Sequence, residues 1–196
     1  NQEYYGFFRY DYLLFYALII QVCLILLKLE SWAEAKVIAI FHIMAMVMEI
    51  FLTHPQIASW QYPQPAVLKI MTVPLFAGFM YSAVGSFFAR SLRLYQVSFT
   101  KLPTFGNMLT LAILSYLNFM TKFFINDFRY LLFLWSVVIF WDTKVGFRLK
   151  HHQLSLPMLP VLLVLAFIIW IAENISTFYQ IWLYPSQVDG WHMVGW

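Results

Sequence analysis

Charge is scarce in this sequence. Asp, Glu, Lys and Arg make up 11% of its 196 residues, against about 25% in a soluble domain. That supply is too small to clothe a globule in water. Cysteine is nearly absent as well: Cys23 stands alone in an apolar run, which excludes an internal disulfide framework and a cysteine-based zinc site. The 12 Lys and Arg residues are scattered and the net charge is +3, so the clustered basic surface that nucleic acid requires is missing too. What fills the sequence is apolar, with 62% hydrophobic residues, 20% aromatic ones and a mean hydropathy of +0.72. A lipid bilayer is the partner this composition implies.

Apolar runs alternate with short polar breaks along the whole chain. Against the roughly 20 residues a helix needs to cross the hydrocarbon, six spans are predicted: Tyr12 to Leu27, Ala35 to Leu52, Ala66 to Ala89, Phe105 to Thr121, Phe128 to Trp141 and Pro157 to Tyr179. The fifth is short, at about 20 Å of helix. Backbone amides in lipid must be bonded within their own segment, so the expected fold is all-α, a polytopic transmembrane helix bundle forming one domain over residues 1–196. No internal repeat, low-complexity segment or cleavable secretory signal is evident.

Eight of the twelve basic residues (Lys28, Lys36, Arg90, Arg93, Lys101, Lys144, Arg148 and Lys150) fall around the loops after spans one, three and five. The positive-inside rule puts those loops in the cytoplasm and the Pro- and aromatic-rich stretch His54 to Pro65 outside. His151 and His152 read as part of a basic interfacial cluster attracted to anionic lipid.

Ionisable groups inside spans are expensive, and each is a functional-site candidate. His42 and Glu49 share a face of the second span but sit about 10 Å apart along its axis, without the i, i+4 spacing of a one-helix metal site. Glu173, followed by Asn174, lies among Ile169, Trp170, Ile171 and Ile175. Measured from the inner ends of their spans, Glu49 and Glu173 are roughly 21 and 24 Å deep, both in the outer third, with Asn118, Thr72 and Pro74 near that level. Three readings of this group stand side by side. The carboxylates tie helices together through Asn, Tyr or Trp; they form a proton- or cation-linked pair; or they join His54 or His192 in a metal-bearing or catalytic pocket open to the outer face.

His42 reads as an interior histidine bonded to a carbonyl or hydroxyl. Gly78, Ser82, Gly85, Ser86 and Ala89, spaced by three and four, form a small-residue stripe suited to close helix packing against another helix or a second copy. No lysine lies mid-span, which excludes a retinal Schiff base, and a serine hydrolase would lack its nucleophile elbow. No cofactor is assigned.

Several strings occur together: Leu29-Glu-Ser-Trp-Ala-Glu-Ala-Lys-Val-Ile38, Ser59-Trp-Gln-Tyr-Pro63, Val73-Pro-Leu-Phe-Ala-Gly-Phe-Met-Tyr-Ser-Ala-Val-Gly-Ser86, Tyr116-Leu-Asn-Phe119, Trp170-Ile-Ala-Glu-Asn174 and Tyr184-Pro185. In these the chain resembles the YoaT-like bacterial integral membrane family (domain of unknown function 817), a family without an assigned activity. The resemblance covers nearly the whole chain and implies an inner-membrane location. It also implies that Glu49, Trp60, Tyr62, Pro74, Tyr81, Asn118, Glu173, Asn174 and Trp191 occupy the family's motif positions. It further implies longer members, with a hydrophobic segment before Arg9-Tyr-Asp11 and another after Trp191. Where the family tends toward Thr-His-His, this chain has Thr121-Lys-Phe123, which weakens a metal site built there.

The function expected from these readings is passage or binding of a small solute or proton through an outer-half polar pocket. Its carboxylates would be Glu49 and Glu173, with Asn118, Asn174, Trp60, Tyr62 and Tyr81 around them. The alternatives are a metal-assisted intramembrane enzyme and a structural or assembly subunit of a membrane complex.

Overall fold

The computed structural model describes residues 5–149 and 152–195. Lys150 and His151, expected in the basic interfacial cluster, lie outside the described residues. The chain is mostly helical, with α1 (Arg9–Leu26), α2 (Trp32–Leu52), α3 (Ala77–Leu94), α4 (Phe105–Thr121), α5 (Arg129–Phe140) and α6 (Met158–Phe178). Three of these, α1, α2 and α6, are long and apolar enough to cross a membrane by length and composition. Their side chains are arranged for lipid: the buried residues of α6 are Asn174 and Thr177, while Leu163, Val164, Ile168, Ile169 and Ile175 are exposed. Polar groups inward and aliphatic groups outward reverse the pattern of a water-soluble helix and support a membrane association.

Two expectations need correction. The third span does not run from Ala66. Residues Lys69–Ile70 (β1) and Val73–Pro74 (β2) instead form a small antiparallel hairpin, closed through Met71 at φ 54°, and the helix begins only at Ala77. Pro74 lacks the N–H that a helix would use and its ring would crowd the preceding turn, so the apolar run breaks there.

The fold is also not all-α. Ser98–Thr100 (β3), Lys144–Leu149 (β4) and His152–Pro157 (β5) make an antiparallel sheet in the order β3-β4-β5. The rule that lipid-embedded backbone must be helical does not bind polar segments, and Lys144-Val-Gly-Phe-Arg-Leu149 alternates with the period of a strand.

The chain forms two compact units, one within Asn1–Ala89 and Glu173–Trp196, the other Arg90–Ala172. In the second, the sheet gathers the C-terminal ends of α3 and α5 and the N-terminal ends of α4 and α6 at one edge. Thr143 fixes this junction, donating its hydroxyl to the Lys101 carbonyl at 2.9 Å and accepting from the Met158 amide at 2.9 Å.

In the first unit, the segment after α2 is locked between α1 and the end of α6. Asp11 is 1% exposed and accepts from the backbone amides of Phe8, Val67 and Leu68 at 2.8 to 3.1 Å. Tyr10 stacks on Phe76 with ring centroids 5.0 Å apart and donates to the Ile181 carbonyl at 2.9 Å. Gln61 and Leu183 exchange backbone hydrogen bonds of 2.9 Å, and the Arg9 guanidinium caps the Tyr179 carbonyl at the end of α6 at 2.8 Å, where a cation suits the helix dipole. α2 starts on a capping box: Ser31 Oγ accepts from the Glu34 amide while the Glu34 carboxylate accepts from the Ser31 amide.

Candidate functional site

Glu49 lies one turn from the C-terminus of α2 and is 1% exposed. Three neutral donors converge on it. Trp60 Nε1 donates to Oε2 at 2.8 Å, the Tyr62 hydroxyl to the same oxygen at 2.9 Å, and the Tyr81 hydroxyl to Oε1 at 2.7 Å. The donors reach it from two directions, because Trp60 and Tyr62 sit on the segment after α2 and Tyr81 one turn into α3. The indole can only donate. Burial, and then the neighbouring Glu49 carboxylate, push the Tyr62 phenol well above its ordinary range, so it stays protonated and remains a donor.

Glu173, on α6, has a different partner, the Tyr184 hydroxyl. Burial, and then this carboxylate, raise the Tyr184 phenol in turn. The two carboxylate environments adjoin: Tyr184 packs edge-on to Trp60 with centroids 6.5 Å apart. Asn174 faces the C-terminal segment, its Oδ1 accepting from the Val194 amide at 2.8 Å, while Trp191 Nε1 donates to Thr177 Oγ1 at 3.1 Å.

Other expected members have partners of their own. Asn118 joins α4 to α5, donating to Asp127 at 2.9 Å and accepting from the Phe128 amide at 2.8 Å. Arg129 Nε donates to the other Asp127 oxygen at 2.6 Å, and these bonds, Arg129's before Asn118's, hold the Asp127 carboxyl well below the usual carboxylate range. His54 Nδ1 accepts from the Gln56 amide at 3.4 Å. Both ring nitrogens of His192 face backbone carbonyls, those of Met193 and Ser186. Among the described residues no three His, Cys, Asp or Glu side chains gather to hold a metal ion, so the candidate ligands Glu49, Glu173, His54 and His192 are not assembled as a set.

The small-residue stripe of α3 has three environments. Gly78 backs onto the His42 ring, which also packs on Phe79 at 4.6 Å, and Ser82 donates to the Ile38 carbonyl of α2 at 3.2 Å. Ser86 donates to Glu30. Gly85 faces open space and makes no close approach. Three contributors escaped the sequence reading: Tyr184 on Glu173, Asp11 under the 66–68 segment, and Glu30, 4% exposed beside Ser86. An acidic residue in the first turn of a helix, as Asp11 is, was a visible signal. The pairing of Tyr184 with Glu173, eleven residues away in sequence, was not.

The profile of a family described as "Protein of unknown function (DUF817)" matches residues 1–196. The chain belongs to this family. Over 186 residues it is 38% identical to a Bacillus subtilis (strain 168) protein described as "Uncharacterized protein YoaT", with 95% of this chain and 70% of that protein aligned. No solved structure matches the chain. Membership of DUF817 agrees with the resemblance carried by the Trp60, Tyr81 and Glu173 motifs and brings no substrate with it.

Proposed function

We propose that this DUF817 protein is a polytopic inner-membrane protein that exchanges a proton, alone or with a small solute, at the Glu49 and Glu173 pair. One observation carries the reading: Glu49 is buried on a helix apolar enough to cross a membrane, yet its three hydrogen-bond partners are all neutral. A carboxylate is a costly group in such a helix. Phenols are suited to proton exchange because each hydroxyl both donates and accepts. Tyr62 and Tyr81 bond Glu49, Tyr184 bonds Glu173, and Tyr184 packs on Trp60, itself a partner of Glu49. In this reading α3, α4 and α5 are embedded together with the three longer helices. The β3-β4-β5 sheet, bearing Lys144 and Arg148, faces the cytoplasm, and the Trp60 segment faces outward.

A second reading is favoured by the same bonds, because each also fastens a neighbouring segment to α2: Glu49 is then a tie between α2, the Trp60 segment and α3. Proton flux separates the two. Liposomes carrying the chain and trapped pyranine are expected to dissipate an imposed pH difference faster than protein-free liposomes. Glu49→Gln combined with Glu173→Gln should return the rate to the protein-free level with helix content unchanged by circular dichroism. Equal dissipation by wild type and double variant leaves only the tie, and a gradient that survives beside the wild-type chain contradicts proton passage.

A further inference from the structure

A cavity of about 490 Å³ opens between α4 and α5, well away in sequence from the carboxylate pair. Its volume falls in the range of small-molecule sites, roughly 300 to 1,000 Å³. The two ends of its lining differ in chemistry. Along the helices Leu111, Phe119, Leu132 and Phe133 are interspersed with the small or amide side chains of Ser115, Asn118 and Ser136, whereas the loop end carries the charged Lys122, Asp127 and Arg129. Arg129 is committed to Asp127, with Nε at 2.6 Å and Nη2 at 2.5 Å from the same oxygen, so those two charges cancel.

Lys122 is left as the net charge at the mouth. Its ammonium is held over the rings of Phe119 at 4.8 Å and Phe123 at 5.1 Å, which favour the cation without neutralising it. From Lys122 back to Leu111 is eleven residues, roughly 16 Å of helix. Half the hydrocarbon core of a bilayer is about 15 Å. A single positive charge at the polar end of a leaflet-deep apolar slot has the chemistry of a lipid carrying an anionic headgroup.

We infer that the α4–α5 cavity binds an anionic membrane lipid, with the headgroup phosphate at Lys122 and an acyl chain along Leu111, Phe119, Leu132 and Phe133. Zwitterionic lipid fills the apolar slot equally well but brings its own cation to the mouth, so the selectivity resides in Lys122. Of the polar lining along the helices, Asn118 is bonded to Asp127 and the Phe128 amide and the Ser136 hydroxyl donates to the Phe133 carbonyl at 2.7 Å, so Lys122 is the cation left to meet a headgroup.

Native mass spectrometry of the full chain tests this, using detergent solutions with equimolar phosphatidylglycerol and phosphatidylcholine of identical acyl chains. Wild type is expected to retain phosphatidylglycerol about fivefold over phosphatidylcholine, the preference one juxtamembrane lysine provides. Lys122→Gln should bring the ratio to parity while Lys122→Arg preserves it, and Ser115→Trp, which fills the slot, should lose both lipids. Equal retention by wild type, a preference that survives Lys122→Gln, or undiminished lipid on Ser115→Trp would overturn the assignment. So would retention of glycerol 3-phosphate as strong as that of phosphatidylglycerol, since the site would then read a soluble anion.

Discussion

Replacing Glu49 with alanine is expected to destabilise the detergent-solubilised protein by about 3 kcal/mol, seen as an early heat-induced loss of the near-ultraviolet tryptophan signal. The substitution removes one acceptor and strands three donors. Trp60 Nε1 suffers most, because it cannot turn acceptor and Trp60 is 9% exposed. An unsatisfied buried donor costs about 1 to 3 kcal/mol. The sum is held down because Tyr81 is 36% exposed and because stranded groups in a membrane find other partners, polar contacts between helices averaging about 0.6 kcal/mol. Glu49→Gln keeps one acceptor oxygen for the indole and should cost about 1 kcal/mol. An alanine variant that unfolds with the wild type would mean that these three bonds do not form.

Gly78→Ala should have the next largest effect, about 1 to 3 kcal/mol, read in the same unfolding measurement. A methyl group there would lie 2.4 Å from His42 Nδ1, 2.5 Å from Cε1 and 2.9 Å from Cγ. The whole face of the ring is in the way, and Phe79 occupies the space beside it. α2 and α3 must therefore move apart, and the Ser82 bond to the Ile38 carbonyl loosens with them. His42→Ala in the same chain should recover most of the loss, because the two substitutions act through one contact. Gly85→Ala, facing open space, should change stability by less than about 0.5 kcal/mol. Additive effects at Gly78 and His42 would contradict this packing.

Hydrophobic patterning located the helices because α1, α2 and α6 are apolar on nearly every side. Phe105 to Thr121 coincides with α4 at both ends, where Thr104 caps the first turn by accepting from the Asn107 amide at 3.3 Å. The same criterion failed at Ala66 to Ala89, since hydropathy does not distinguish a helix from a tight hairpin, although Pro74 marked the break. The β3-β4-β5 sheet went unread for a related reason: a rule valid inside lipid was carried into a polar segment whose period-2 alternation pointed to strands.

At the site, Glu49 and Glu173 stood out because carboxylates are costly among isoleucines and methionines. That Trp60, Tyr62 and Tyr81 all point at Glu49 depends on a chain reversal after α2 that no local pattern encodes. Asn118 was placed with the carboxylates on helical depth alone. Depth says nothing of direction around the axis, and the partners its side chain has are Asp127 and the Phe128 amide, between α4 and α5.

Infrared difference spectra of the membrane-reconstituted chain, recorded between about pH 3 and pH 9 to bracket ordinary carboxyl titration, report directly on whether Glu49 and Glu173 exchange protons. Two carboxyl signals are expected to belong to the pair, one lost in Glu49→Gln and the other in Glu173→Gln. The first should shift on Tyr81→Phe and the second on Tyr184→Phe. A difference spectrum unchanged by both glutamine substitutions would show that these carboxylates exchange no proton, and would contradict the proposed exchange.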